Sequence, residues 1–167
     1  MISVRFLEKN DISIIVSQFA QYNWPKPIST FETYLDQQQA RERIIWVGYY
    51  NDHFAGYVTL KWQSHYEPFL CQNIPEIMDL NVLPPYQKLE IGSALLKTAE
   101  NAAFEKSPIV GIGVGLYAGY GSAQRIYVKN GYIPDGHGIT YNYKPVAPGV
   151  NALVDDDLVL WFTKKLK

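Results

Sequence analysis

A single cysteine, Cys71, in 167 residues excludes any intrachain disulfide framework. With no signal-peptide pattern at the start of the sequence, a reducing cytosol is the expected location. Cys71 has no His/Asn constellation that would mark it as a nucleophile, and it reads as an ordinary thiol. His53 and His65 share no metal-ligand spacing with Cys71 or with each other, so no metal is expected. Neither sign of charge dominates. Fifteen Lys and Arg against 16 Asp and Glu leave a net charge of −1, which argues against nucleic acid or an anionic membrane as partner. The longest apolar run, residues 44–50, is far too short to cross a bilayer. Repeats, low-complexity tracts and linkers are also missing, so one domain over residues 1–167 is expected.

What the sequence does hold is a 47% hydrophobic fraction, enough for a real core, and 14% aromatics, with 13 Tyr. Residues 2–7 alternate apolar and polar as a first strand. Asn10 and Asp11 then offer an N-cap to a helix carrying Ile12, Ile15, Val16 and Phe19 at helical spacing. Trp24-Pro25-Lys26-Pro27 breaks it, and Ser29 or Thr30 can cap a second helix through Phe31, Tyr34 and Leu35. Residues 44–50 and 54–62 read as strands joined by a turn at Asn51-Asp52-His53. Residues 74–83 form a further strand, stopped by Pro84-Pro85. Residues 91–104 follow as an amphipathic helix, and 109–116 as a strand covered on both faces. Residues 122–129 are helical and closed by Asn130-Gly131. A Gly/Pro-rich stretch over 134–149 leads to a last strand at 158–162. The order β-α-α-β-β-β-α-β-α-β-β is that of a mixed α/β (α+β) layer architecture.

The segment richest in chemistry is 76–96, where a strand runs into a tight turn and a helix opens on Gly92-Ser93-Ala94. The start of a helix presents unpaired N–H groups and a positive dipole end, which together make an anion site. Gly92 costs the helix about 1 kcal/mol relative to Ala. Close approach of a diphosphate to the backbone accounts for that cost; helix–sheet packing is the plainer account.

Tyr86-Gln87-Lys88-Leu89-Glu90-Ile91-Gly92-Ser93-Ala94-Leu95-Leu96 resembles the acetyl-CoA signature of the GCN5-related N-acetyltransferases (GNAT), Gln/Arg-x-x-Gly-x-Gly/Ala between a strand and a helix. Ser122-Ala123-Gln124-Arg125-Ile126-Tyr127-Val128-Lys129-Asn130-Gly131-Tyr132 is similar to the family's later helix and its Leu-Tyr-x-x-x-Gly-Phe ending. The strand order resembles the family's across nearly the whole chain. There is one departure: Glu90 stands where the signature has its first glycine. A carboxylate there suits the helix dipole but not a diphosphate, so Glu90 is expected to face solvent while its N–H still serves the phosphates.

The resemblance implies an N-acetyltransferase that moves acetyl from acetyl-CoA to a primary amine of a small molecule or peptide, by direct transfer in a ternary complex. It places pantetheine against the main chain of Leu80, Asn81 and Val82. The phosphates fall to the backbone of Gln87, Lys88, Leu89, Glu90, Ile91, Gly92, Ser93 and Ala94. The Lys88 side chain either adds charge to a phosphate or stays solvated. Members that use a glutamate base on the fourth strand carry it eleven residues before the signature's first position, here Glu76, with Asp79 in reserve. By strand alternation Glu76 shares a face with Met78, Leu80 and Val82, and Asp79 points the other way. Tyr127 matches the tyrosine that protonates the departing CoA thiolate; its plain reading is core packing with Ala123 and Ile126. For the acceptor, Tyr22, Trp24, Tyr34, Tyr141 and Tyr143 are possible walls. Asp155-Asp156-Asp157 reads as a solvated turn or as a lure for a cation. His137, between two glycines, is expected to be a loop residue without a partner. Glu90 keeps a second reading open, a non-catalytic acyl-CoA-binding sensor or interaction module. A homodimer is the assembly the resemblance suggests.

Overall fold

The computed structural model describes all 167 residues. The strands are β1 (Ile2–Phe6), β2 (Arg43–Tyr50), β3 (His53–Lys61), β4 (Glu76–Val82), β5 (Ile109–Gly115), β6 (Ile133–Tyr141), β7 (Lys144–Pro145) and β8 (Leu158–Lys165). The helices are α1 (Asp11–Ala20), α2 (Ile28–Gln39), α3 (Glu67–Cys71), α4 (Ile91–Phe104) and α5 (Gly121–Lys129). The strands make one mixed sheet in the order β1-β2-β3-β4-β5-β8-β6-β7. The chain packs as two compact units, Met1–Lys61 with Met78–Ala102, and Trp62–Ile77 with Ala103–Lys167.

In the first unit β1, β2 and β3 are antiparallel, with Ile2 opposite Tyr50 and Arg43 opposite Lys61. The β2–β3 turn is made by Asn51 and Asp52, both left-handed (φ 47° and 64°), the form whose twist matches the strands it joins. Helix α1 lays Ile12, Ile15 and Phe19 on the sheet and α2 adds Phe31, closing a core with Ile45, Val47 and Tyr57. The expected caps are replaced. Asn10 makes no side-chain cap bond, and α2 enters through Pro27 (φ −64°, ψ 135°), so Ser29 and Thr30 are not its caps. Proline's fixed φ sets that entry without a side-chain acceptor.

Asp11, 3% exposed, ties β1 to α1. Its carboxylate accepts both guanidinium nitrogens of Arg5 (2.7 and 2.8 Å), the Glu8 N–H (2.8 Å) and the Tyr49 hydroxyl (3.0 Å). Burial pushes this carboxyl up, but the Arg5, Glu8 and Tyr49 donors outweigh it and hold the group below the usual range. A carboxyl lowered by folding adds stability above its unfolded pKa of about 3.9 and loses it as the pH falls further. Melting temperature is therefore expected to drop below about pH 4 in the wild type. In Asp11→Asn that acid-dependent component should be gone, leaving a variant less stable at neutral pH and flatter in its pH profile.

In the second unit β8 pairs antiparallel with β5 and with β6, and the first residues of β4 run parallel to β5, Glu76 opposite Gly111 and Ile77 opposite Ile112. Tyr66 stacks on Trp161 (4.1 Å, 3° between planes), and Phe69 meets both rings edge-on. The Gly/Pro-rich stretch holds two strands. β6 and β7 form a hairpin through Asn142 and Tyr143, again both left-handed (φ 50° and 65°). A left-handed tyrosine is unfavourable by about 1–2 kcal/mol, and its ring packs on Trp161 and His65 at 5.9 and 5.7 Å. The short helix α3, absent from the sequence reading, is set by Pro68 in its first turn and by the burial of Phe69.

Candidate active site

The turn between β4 and α4 belongs wholly to the first unit. Pro84–Tyr86 forms a single 3-10 turn, and the Gln87 amide donates back to the Val82 carbonyl at 3.2 Å. Lys88 (φ 64°) and Glu90 (φ 62°) are both left-handed. Helix α4 begins as the Ala94 N–H bonds to the Glu90 carbonyl (2.9 Å), with Ile91 buried as the anchor. By helix geometry the N–H groups of Ile91, Gly92 and Ser93 have no partner within α4. Glu90 and Lys88 are exposed; Gly92, Ser93 and Ala94 are half-buried. Leu89 is also exposed. Glu90 thus occupies a backbone conformation that costs any residue but glycine about 1–2 kcal/mol, which is why a glycine suits this position. The sequence gives no sign of that conformation except through the signature itself.

Upstream, β4 does not alternate as expected. Asp79 is left-handed (φ 51°), a bulge that breaks the face shared by Glu76, Met78, Leu80 and Val82. Asp79 is exposed and accepts a hydrogen bond from the Tyr34 hydroxyl. Beyond it Leu80, Asn81 and Val82 are half-buried. At Gly56 on β3 an added Cβ would stand 2.3 Å from the Asn81 carbonyl oxygen and 3.0 Å from the Val82 Cα, so only glycine lets β3 lie this close to the bulged strand. Tyr57 follows. Its phenol is pushed well up, by burial first and then by the Asp79 charge, against a hydrogen bond with Asn81 that lowers it. Sequence reading missed Tyr57, whose alternation marks only a core position.

Glu76 and Tyr127 lie in the second unit. Glu76 is 3% exposed and accepts the Ser64 hydroxyl at 2.5 Å, while Ser64 accepts the Tyr66 N–H at 2.9 Å. Ser64 carries no sequence signal, because the contact joins residues 12 apart through a loop. Tyr127, on α5, is 5% exposed and tilted against Tyr132 at 5.9 Å. Of the residues expected on the acceptor side, Tyr22 and Trp24 are exposed in the first unit, and Tyr141 donates to Asp155 (3.0 Å) in the second. The triple-Asp run is no bare solvated turn. Asp156 accepts the hydroxyls of Tyr117 (2.5 Å) and Tyr120 (2.9 Å). Nor is His137 without a partner: its N–H (3.0 Å) and its ring (3.2 Å) reach Asp135, which also accepts the Tyr66 hydroxyl at 2.7 Å. Left-handed Gly136 and Gly138 fold the β6 bulge that makes this possible. No group of three or more His, Cys, Asp or Glu is placed to hold a metal ion, and no helix is long and apolar enough to cross a membrane.

The family described as Acetyltransferase (GNAT) matches residues 12–132. No curated protein matches the sequence. Among solved structures, an N-acetyltransferase from Staphylococcus aureus Mu50 superposes with a TM-score of 0.70 at 17% identity, over 100% of this chain and 99% of that one. A Salmonella typhimurium protein solved with acetyl-CoA as its cofactor gives 0.70 at 14%, over 99% and 94%. The ribosomal-protein-S18-alanine N-acetyltransferase of Escherichia coli gives 0.68 at 16%, over 99% and 94%. At such identities the likeness is one of fold.

Proposed function

Because the chain belongs to the GNAT acetyltransferase family, we propose that it binds acetyl-CoA at the β4–α4 turn and transfers the acetyl group to a primary amine of a small molecule or peptide. The observation that carries this reading is the turn itself, left-handed at Lys88 and Glu90 and running straight into the α4 N-terminus. The backbone of residues 87–94 takes the diphosphate, through N–H groups that need no side-chain charge. Leu80, Asn81 and Val82 offer main-chain groups to pantetheine in the manner of an added strand.

The chemistry asked of the side chains is proton traffic. A primary amine is mostly protonated near neutral pH, so it must lose a proton before its lone pair attacks the thioester carbon. The N–C bond then forms as the C–S bond breaks, the CoA thiolate takes a proton from the Tyr127 hydroxyl, and the acylated nitrogen gives up its remaining extra proton to solvent, which restores the phenol. For the base, exposure favours Asp79, which meets solvent at the bulge. Glu76 is the second candidate, on the strength of its spacing from Gln87, and is buried under Ser64. Positioning of the two substrates in one complex accounts for the rest of the rate.

Calorimetry with acetyl-CoA, on wild type and Glu90→Gly, tests the cofactor half of this reading. Wild type is expected to bind. The glycine variant is expected to bind about fivefold more tightly, since it removes a carboxylate from beside the diphosphate. CoA release in the presence of a panel of amines tests the transfer half. Binding without release from any amine would favour the non-catalytic module, and no binding in either protein would end the proposal.

A further inference from the structure

Lys26 stands between Pro25 and Pro27 on the segment joining α1 to α2. A residue before proline is confined to extended backbone, and the preceding turn is closed by the Trp24 N–H on the Phe19 carbonyl at 3.2 Å. From this stiff platform the side chain folds inward. Its Nζ lies 4.3 Å from the centre of the Trp24 ring, 5.2 Å from Phe19 and 5.9 Å from Tyr57. The rings brace one another edge-on, Phe19 against Trp24 at 5.1 Å and against Tyr57 at 5.7 Å. Phe19 and Tyr57 are buried, so two walls of the box are fixed by the core.

A surface lysine usually keeps its compact, strongly hydrated ammonium in water. Three ring faces converging on one ammonium position make the arrangement that recognises alkylammonium ligands. Tyr57 is also the ring that interacts with Asn81 and senses the Asp79 charge. One residue is therefore shared between the box and the part of β4 assigned above to pantetheine. The nitrogen that attacks the thioester must give up its proton, whereas the nitrogen that suits this box must keep its charge. One amine cannot do both.

We propose that Phe19, Trp24 and Tyr57 form a subsite for a second, unreacting cation of the acceptor, filled in the free protein by Lys26 as an internal stand-in, and that the acceptor is accordingly an alkyl diamine or an amine bearing a quaternary ammonium. The assignment rests on the acetyl-transfer reading and narrows its substrate class. Lys26 acts as a specificity element: a ligand cation must displace it.

Binding of tetramethylammonium, followed by calorimetry so that variants at Trp24 can be read, tests the box without any need for turnover. Lys26→Met is expected to bind this probe about tenfold more tightly than wild type, and Trp24→Ala about tenfold more weakly. Equal affinity in wild type and Lys26→Met, with both proteins folded by melting temperature, would overturn the proposal. Turnover supplies the second arm. Butane-1,4-diamine is expected to have a KM about tenfold below that of butylamine, and Lys26→Met should lower KM for the diamine alone. If both amines release CoA with equal KM, the subsite is wrong and acetyl transfer stands. If tetramethylammonium binds as expected but no amine releases CoA, the box stands as a cation site and the transfer reading fails.

Discussion

Tyr127→Phe is expected to lower kcat about 100-fold with little change in acetyl-CoA affinity. General-acid catalysis contributes about 10²- to 10⁴-fold, and the lower end applies here because a thiol with a pKa of about 8.5 is already a fair leaving group. The substitution removes one oxygen and keeps the ring, so the packing of Tyr127 against Tyr132 at 5.9 Å survives. Loss of a hydroxyl's hydrogen bond costs stability only about 0.5–1.5 kcal/mol, which a melting curve will separate from an effect on turnover. The two readings of this residue make opposite forecasts. A packing role leaves kcat intact in Tyr127→Phe and damages it only when the ring is cut, as in Tyr127→Ala. Full turnover in the phenylalanine variant, measured by thiol release under saturating acetyl-CoA, would remove Tyr127 from the chemistry.

Gly56→Ala is expected to do the greatest structural damage of any single methyl group added to this sheet's first unit. The new Cβ meets backbone, the Asn81 carbonyl oxygen at 2.3 Å, where no side-chain rotation gives relief. Either β3 and β4 part or the bulge at Asp79 is lost, and overpacking of this kind costs about 1–3 kcal/mol or more. Both outcomes displace Leu80, Asn81 and Val82, so acetyl-CoA affinity should fall at least about tenfold in whatever fraction folds. Gly48, paired with Gly56 across β2 and β3, is the control. The atoms nearest a Cβ there belong to the Leu95 side chain, at 3.2–3.4 Å, and Gly48→Ala is expected to melt within a few degrees of wild type with acetyl-CoA binding intact. Equal losses in the two variants would mean that close approach at β4 is not what Gly56 provides.

Much of the fold was legible in the sequence because its signals are local. The Asn51-Asp52 turn announces itself, since both residue types tolerate the left-handed conformation that the hairpin needs. The same turn at Asn142-Tyr143 was hidden, because tyrosine is a poor left-handed residue and is held by rings distant in sequence. The β4–α4 turn was found from its residues, yet the cost of Glu90 in place of glycine appears only in its φ of 62°. Strand alternation misled at β4. A bulge at an aspartate leaves no mark on the pattern of apolar positions, so the face expected to run from Glu76 through Val82 is broken at Asp79. Ser64 beside Glu76, and Lys26 among its three rings, depend on tertiary approach and have no sequence signature at all.

The carboxylates of the loop before β8 also change what surface exposure means for this protein. Tyr117 is exposed and Tyr141 half-buried, and a phenol that solvent reaches ordinarily ionises as freely as it would in solution. Hydrogen bonding to Asp156 and Asp155 in turn, with desolvation second, pushes both phenols up. Reagents that attack phenolate, such as iodine or diazonium ions, would therefore find these accessible tyrosines slow to react. Accessibility and reactivity part company on this face, and labelling would report the aspartates as much as the solvent.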